Sequence, residues 1–412
     1  MIRKTCISCG HELSKDIVII GNQYPSAIFI KDSIPDGLES TSLNVAKCLN
    51  ERCGLVQLSN EYDLQYVFDH YPYESSSTAT MKQILQEVLD ATESVELSEK
   101  DVVLDIGGND GTLLSLIKEP VRARVNIDAA AGVKQLVADD DYIHVHSKFS
   151  AEVYNKLNLP SPKLIFSTAM FYHLNNPLEF SRNVEQIMDE ESIWVLQLTY
   201  LGTMLRDNIF DNIVHEHTAY YSLTSLEFLL SQVGLYIAEA EVVNSYGGSL
   251  RVYIKKHKTI YKTTYYDVQS FENENKTNNI NSLIMFNDRI QLLRKSIKAV
   301  VDHLTQLQGG LWGFGASTKG NMLLQFLGID SKQIHCILDN NDKKIGSKTL
   351  GTMIPIVEEA AHLNCLPKYL LVLPYYYVDA FVKVIKKHLK PEQKVYLLVP
   401  LPYPYFIEVT SE

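Results

Sequence analysis

An α/β protein, with two doubly wound units behind a small cysteine-bearing module, is the fold class this sequence predicts. Three observations predict it. Residues 101–111 run from an apolar strand straight into a glycine-rich turn, and a helical stretch follows at 112–118. Residues 310–321 repeat strand, glycine turn and helix much later in the chain. Four of the six cysteines (Cys6, Cys9, Cys48, Cys53) fall near the amino end, far from Cys336 and Cys365.

Bulk properties narrow the class. A chain of 412 residues implies two or three domains. With 46% hydrophobic and 21% charged residues its composition is globular, and tyrosine is frequent at 24. No apolar run reaches the length of a membrane span. The first residues lack the apolar core of a signal peptide, so a cytoplasmic location is expected. A net charge of −11 argues against nucleic acid bound through a general basic surface. A phosphate-bearing substrate would therefore need a few local cations and backbone N–H groups.

The amino-terminal module is placed at residues 1–75. Clustered cysteines in a cytosolic chain point to metal rather than disulfides. Cys6 and Cys9 form a knuckle that can put two thiolates on one ion, and Cys48 and Cys53 offer a second pair. Four thiolates suit a structural Zn²⁺ closed to water, which would staple a segment too small for its own core. Buried unpaired thiols are the plainer alternative.

The middle unit is placed at residues 76–250. A helix near 79–97 precedes strands at 101–106, 123–127, 142–145, 164–166 and 192–198. Strands alternating with helices imply a parallel sheet with helices on both faces, and ligands sit at the carboxyl ends of its strands. Those ends carry residues 107–111, Asp128, and the run from Thr168 and Ala169 to His173. Gly107, Gly108 and Gly111 let the backbone turn sharply and approach a ligand. The turn lacks the Gly-Lys-Ser/Thr end of a phosphate-cradling loop. Asp105 and Asp110 would repel a pyrophosphate. A cationic nucleoside without phosphate fits better, and S-adenosylmethionine is the commonest such ligand. Asp105, Asn109 and the three glycines would hold it with Thr168 and Ala169, and Asp128 lies where ribose hydroxyls are expected.

The third unit is placed at residues 251–412. A long amphipathic helix near 278–307 leads into the strand and glycine turn at 310–321, and the next strand, 334–339, again ends in an acid. Here Ser317, Thr318 and Lys319 open the helix, a good place for a phosphate.

The residues most suggestive of chemistry lie between the two units, at 210–221. His215, Glu216 and His217 are followed by Tyr220 and Tyr221. Histidines two apart do not make the helical pair of a zinc protease. A catalytic base fits better, because imidazole titrates near neutral pH. On an extended segment alternate residues share a face, so His215 and His217 are expected together with Glu216 turned away. A polar loop with satisfied histidines is the plainer reading. His173 follows the fourth strand at the mouth of the donor site. Arg251, after a further glycine turn, is available for a substrate phosphate or a structural carboxylate.

Taken together these segments resemble the sugar C-methyltransferases that act on nucleotide-linked 4-keto-deoxyhexoses. The resemblance covers nearly the whole chain. It rests on the four cysteines, Cys53-Gly-Leu-Val-Gln57 with Tyr71-Pro-Tyr73-Glu-Ser-Ser76, the turn at 107–111, residues 211–217 with Tyr220, Gly247-Gly-Ser-Leu-Arg251, and Gly313-Phe-Gly-Ala-Ser-Thr-Lys-Gly-Asn321. It implies His217 as general base, with Glu216, His173, His215 and Tyr220 around the reaction. It puts Tyr71, Tyr73, Ser75, Arg251, Ser317, Lys319 and Asn321 on the nucleotide-sugar. Three positions depart from the family. Val214 stands where a tyrosine is usual, Tyr246 where a histidine often precedes the glycine turn, and the second cysteine pair has a longer spacer. Tyr220 or Tyr73 could replace the missing hydroxyl.

The expectation is a C-methyltransferase acting next to the ketone, at C3, of a 4-keto-6-deoxyhexose carried by dTDP, through an enolate formed by a histidine. An O- or N-methyltransferase of a sugar or small metabolite is the alternative of the same class. A non-catalytic zinc-containing nucleotide-binding protein is the alternative of another. A monomer or weak homo-oligomer without nucleic-acid or membrane partners is expected.

Overall fold

The structure, a computed structural model, describes residues 2–62, 74–130, 133–137 and 139–411. Four strands open the chain: β1 Val18–Gln23, β2 Phe29–Ile30, β3 Thr41–Lys47 and β4 Val56–Leu58. Side chains alternate across a strand, and β3 and its continuation use both faces. Leu43 and Val45, with Val56 and Leu58 of β4, join a core shared with the carboxyl-terminal unit. Ala46, Cys48 and Leu55 join the core of the middle unit instead. The amino-terminal module is thus a wedge between two larger bodies, which accounts for its lack of long apolar runs.

The middle unit contributes β5 Val102–Ile106, β6 Ala123–Asp128, β7 Tyr142–His146, β8 Leu164–Thr168, β9 Ile193–Thr199, β10 Ala219–Tyr220, β11 Tyr236–Val243 and β12 Ser249–Lys255. Seven of these form one sheet in the order β11-β12-β9-β8-β5-β6-β7. Strands β5 to β9 are parallel, and the hairpin β11–β12 adds antiparallel to β9. The strand order reverses between β5 and β8, where open α/β sheets take their ligands. Helix Ala79–Asp90 ends earlier than its pattern suggests, and just beyond it the Thr92 hydroxyl donates to the Leu89 carbonyl at 2.7 Å.

Helix Ile280–Gln308 crosses to the last unit: β13 Leu311–Phe314, β14 Ile334–Asp339, β15 Lys348–Thr349, β16 Ile356–Glu358, β17 Tyr369–Val372, β18 Lys394–Val399 and β19 Tyr405–Thr410. Its sheet runs β16-β14-β13-β17-β18-β19, parallel except for β19. Two pairings tie the wedge to its neighbours. Strand β4 pairs antiparallel with β10, and β2 with β15. Among the described residues no helix is long and apolar enough to cross a membrane.

Candidate active site

The turn after β5 departs from ordinary backbone at Gly107, Asn109 and Gly111, all left-handed with φ of 77°, 52° and 79°. Sterics add to the demand for glycine. A Cβ at Gly108 would lie 2.5 Å from Asp105 Oδ2, and one at Gly111 would lie 2.4 Å from the Tyr142 hydroxyl. Asp128 at the end of β6 holds this turn directly. Its Oδ2 accepts from the Asn109 N–H at 2.8 Å and its Oδ1 from the Ala130 N–H at 2.6 Å. A carboxylate oxygen keeps a second lone pair, so Asp128 can brace the turn and still face a ribose hydroxyl. Asp110 takes the Ser76 N–H at 2.9 Å, and Asn109 takes that of Ser75 at 2.9 Å. Burial, then the charges of Asp128 and Asp110, pushes the Asp105 carboxyl up to about 8. Asp110 on the turn, with Asp105 before it and Asp128 beside it, fits a cationic ligand and disfavours an anion. At the end of β8, Ala169 is left-handed with φ of 57°, and the buried Thr168 hydroxyl has no hydrogen-bond partner among the described residues.

The four amino-terminal cysteines come together as their spacing predicts, with all four sulfurs within 4.8 Å of one another. Cys6 and Cys53 Sγ are 3.7 Å apart, Cys9 and Cys48 Sγ 3.5 Å. A tetrahedral zinc with Zn–S bonds of about 2.3 Å sets sulfurs about 3.8 Å apart, so the set fits that ion. Each pair closes on a left-handed glycine: Gly10 N–H donates to Cys6 O, and Gly54 N–H to Asn50 O. The second of these turns absorbs the longer spacer.

The His-Glu-His segment is not extended. The His217 N–H donates to Val214 O at 3.1 Å, which makes residues 214–217 a turn, so the expected common face for the two histidines is not formed. His215 instead meets Thr41 Oγ1 at 3.0 Å through Nε2, with the Tyr62 ring edge-on at 4.7 Å. It therefore contacts the amino-terminal wedge. His217 packs against His173 at 5.3 Å and Tyr172 at 4.5 Å between ring centroids. Its Nδ1 lies 2.8 Å from the Asn212 carbonyl, which can only accept. The proton is thereby assigned to Nδ1, leaving the Nε2 lone pair open. Burial, then the charges of His173 and Lys319, holds the His217 pKa well below that of a free imidazole. His173 falls to about 4 and Glu216 rises to about 7, both through burial.

Buried polar atoms usually find partners. Among the described residues several here do not: Asp211 Oδ2, Asn212 Oδ1, Glu216 Oε2, the Tyr220 hydroxyl and Asn321 Oδ1. Four of these five belong to residues 211–220.

Comparisons with known proteins match both α/β units. Residues 74–240 match a family described as a methyltransferase domain, and residues 244–402 match the C-terminal domain of C-methyltransferases. The C-methyltransferase NovU of Streptomyces niveus is 26% identical over 413 residues, covering 98% of this chain and 97% of that one. The two family matches and this near-full-length similarity together support an S-adenosylmethionine-dependent C-methyltransferase. Among solved structures, the N-methyltransferase NodS of Bradyrhizobium japonicum is similar at 12% identity. It covers 44% of this chain and 99% of its own, with a TM-score of 0.34. LepI in complex with S-adenosylmethionine is similar at 16% identity over 45% and 48% of the two chains, with a TM-score of 0.32.

In this chain the carboxyl-terminal unit reaches the histidine segment. Lys319 is buried, and its Nζ donates to the Tyr246 carbonyl at 3.3 Å. The Tyr375 hydroxyl donates to Asp211 Oδ1 at 3.2 Å. Asp211, Tyr375 and Tyr376 are residues that sequence reasoning missed as site members. Asp211 stands in the run that resembles the family, and the aromatic triplet 375–377 follows a strand end, which was the available signal. Ser317 caps the helix Thr318–Leu327 by accepting from Gly320 N–H at 3.0 Å, and Asn321 donates to Ser26 O at 3.1 Å. Arg251 takes the structural of its two expected roles. It is buried, with Nε on Gln197 Oε1 at 2.8 Å and NH1 on Glu241 Oε1 at 3.2 Å. Ser75 is buried beside the donor turn, and Tyr71 and Tyr73 lie outside the described residues.

Proposed function

We propose that this enzyme methylates C3, the carbon next to the ketone, of a nucleotide-linked 4-keto-6-deoxyhexose, with His217 as general base. The single observation carrying the reading is His217 itself: buried, neutral, with Nδ1 fixed on the Asn212 carbonyl and Nε2 open beside His173. A ketone acidifies the hydrogen on the adjacent carbon. His217 Nε2 takes that proton, and the electron pair left behind delocalises onto the ketone oxygen as an enolate. When bound at the acidic turn, S-adenosylmethionine would supply the methyl group to the enolate carbon, its sulfonium–methyl bond breaking to leave S-adenosylhomocysteine. Asp105, Asp110 and Asp128 favour the cationic donor. The buried Tyr220 hydroxyl, without a hydrogen-bond partner among the described residues, interacts through space with Glu216 and offers the function that Val214 lacks. Four-thiolate zinc leaves no open coordination position, so the proton is moved by side chains. The relative from Streptomyces niveus, a C-methyltransferase similar over nearly the full chain, supports carbon as the acceptor.

Solvent exchange tests the reading. Without methyl donor, the enzyme should wash deuterium into the α-carbon of the correct sugar from a panel of dTDP-, GDP- and UDP-linked 4-ketosugars. Methylation with no α-exchange on any sugar, and a product methylated on oxygen or nitrogen, would sink it.

A further inference from the structure

The buried ammonium of Lys319 is absorbed neither by the fold nor by the proton transfer just described. Lys319 stands in the first turn of helix Thr318–Leu327, in the carboxyl-terminal unit, yet its head group reaches the seam with the middle unit. One hydrogen bond, to the Tyr246 carbonyl at 3.3 Å, uses one of its three donors. The faces of Tyr376 and Tyr246 lie 5.1 and 5.8 Å from Nζ. Aromatic faces hold a cation without neutralising it. Asp211 interacts with Lys319 through space, but no ion pair joins them among the described residues. Tyr246 is held left-handed, with φ of 53°, ahead of Gly247 and Gly248 at 87° and 114°. Such a conformation is unfavourable for a tyrosine and here presents its carbonyl to the ammonium.

Resting on the ketosugar reading above, we infer that Lys319 is a catalytic residue whose ammonium hydrogen-bonds the ketone oxygen and stabilises the enolate charge. The proton leaves to His217 Nε2 and the electron pair moves to the oxygen, so charge separates across the pocket. A cation near the base opposes its protonation, and the charge of Lys319, after burial and His173, lowers the His217 pKa. That cost is offset only when negative charge develops within reach of the same cation. A pyrophosphate fits the position less well. It carries several negative oxygens, whereas Lys319 is a single buried cation with Asp211 beside it and the Ser317 hydroxyl already committed to capping. One oxygen with delocalised charge matches a desolvated ammonium between two rings. Lys319 would thus give the carboxyl-terminal unit a direct part in the chemistry of the other.

The test compares the wild-type enzyme with Lys319→Met and Lys319→Arg in three measurements. These are α-deuterium wash-in on the active ketosugar without donor, affinity for thymidine diphosphate alone by calorimetry, and affinity for S-adenosylmethionine. Lys319→Met should slow wash-in by about 10²–10³-fold, as expected for loss of one oxyanion donor. Both affinities should stay within twofold, and Lys319→Arg should recover part of the rate. A fall of tenfold or more in thymidine diphosphate affinity, with wash-in at saturation preserved, makes Lys319 a phosphate ligand and overturns the proposal. Unchanged wash-in and unchanged affinity make it a structural cation and overturn it equally. If Lys319→Met does not fold, Tyr376→Leu strips one ring face from the ammonium. It should slow wash-in by about three- to tenfold without changing either affinity, and no slowing overturns the proposal. A wild-type enzyme that exchanges no ketosugar refutes the ketosugar reading first, before any variant is compared.

Discussion

The two α/β units solve one structural problem in the same way and then diverge in charge. In each, the acid ending the second strand braces the glycine turn after the first. Asp128 Oδ2 takes the Asn109 N–H at 2.8 Å, and Asp339 Oδ2 takes the Ala316 N–H at 2.7 Å. In each, the first turn glycine is left-handed and donates to the carbonyl just before that acid, Gly107 to Ile127 and Gly315 to Leu338. The surrounding side chains are opposite in sign. Asp105 and Asp110 accompany the first turn. Lys344, which donates to Ala316 O at 2.8 Å, and Lys319 accompany the second. The backbone frame recurs, and a few side chains give the surroundings of the two turns opposite charge.

The severest way to break this division of labour is to remove the base on the seam. His217→Asn should cost about 10²–10⁴-fold in methylation, with the affinities for S-adenosylmethionine and thymidine diphosphate unchanged in stopped binding assays. His215→Asn should do far less, since its ring meets Thr41 instead. An active His217→Asn beside a dead His215→Asn or His173→Asn would show the base to be misassigned.

Next comes the wedge between the units. Strand β10 directly follows His217 and pairs with β4, with Leu58 N–H donating to Thr218 O at 2.9 Å. Cys6→Ser should abolish zinc in elemental analysis and lower methylation by at least tenfold by loosening that pairing. Roughly 1.4 kcal/mol of misplacement is enough for tenfold. Donor affinity should change little. Metal content equal to wild type would contradict the four-thiolate site.

The two bracing acids give the most direct comparison. Asp128→Ala should weaken S-adenosylmethionine binding by about 1–3 kcal/mol, because turn donors and ribose hydroxyls lose their acceptor. Asp339→Ala should leave that affinity alone. Equal effects from both would mean that the second unit also shapes the donor site.

The smallest effect is a pH dependence confined to the first unit. Asp105 has its pKa raised from 3.8 to about 8. In the donor-free protein its contribution to stability is complete below its unfolded pKa and is lost as pH rises through about 8. A bound cation favours the carboxylate, so donor affinity should rise with pH from 6 to 8 and level off above. The slope is at most about tenfold per pH unit for one proton. Calorimetry showing a flat profile, or the same slope in Asp105→Asn, would remove Asp105 from the donor site.

Much of this was legible in the chain. Both glycine turns, their acids and the four thiolates announce themselves because each depends on local spacing. Strand β14 matches its expected span, and the long helix shifts by only a residue or two at each end. The seam was less legible. Alternation predicts a shared face only for an extended backbone, and the turn at 214–217 sends His215 and His217 to different neighbours. Tyr375, Tyr376 and Asp211 meet through pairings between distant segments that no local pattern encodes. Arg251 illustrates a further limit: a lone arginine reads equally as ligand or strut until Glu241 is seen opposite it on the neighbouring strand.

The wedge also constrains how the molecule is made. Its first sheet borrows β10 from the middle of the chain, and β2 finds its only strand partner among the described residues in β15, late in the last unit. Such pairings are slow because loop-closure entropy is lost before contacts form. The wedge, made before β10 and β15, therefore completes its pairing only after both have emerged. Until then its strands carry exposed edges, so newly made enzyme depends on that interval passing without aggregation.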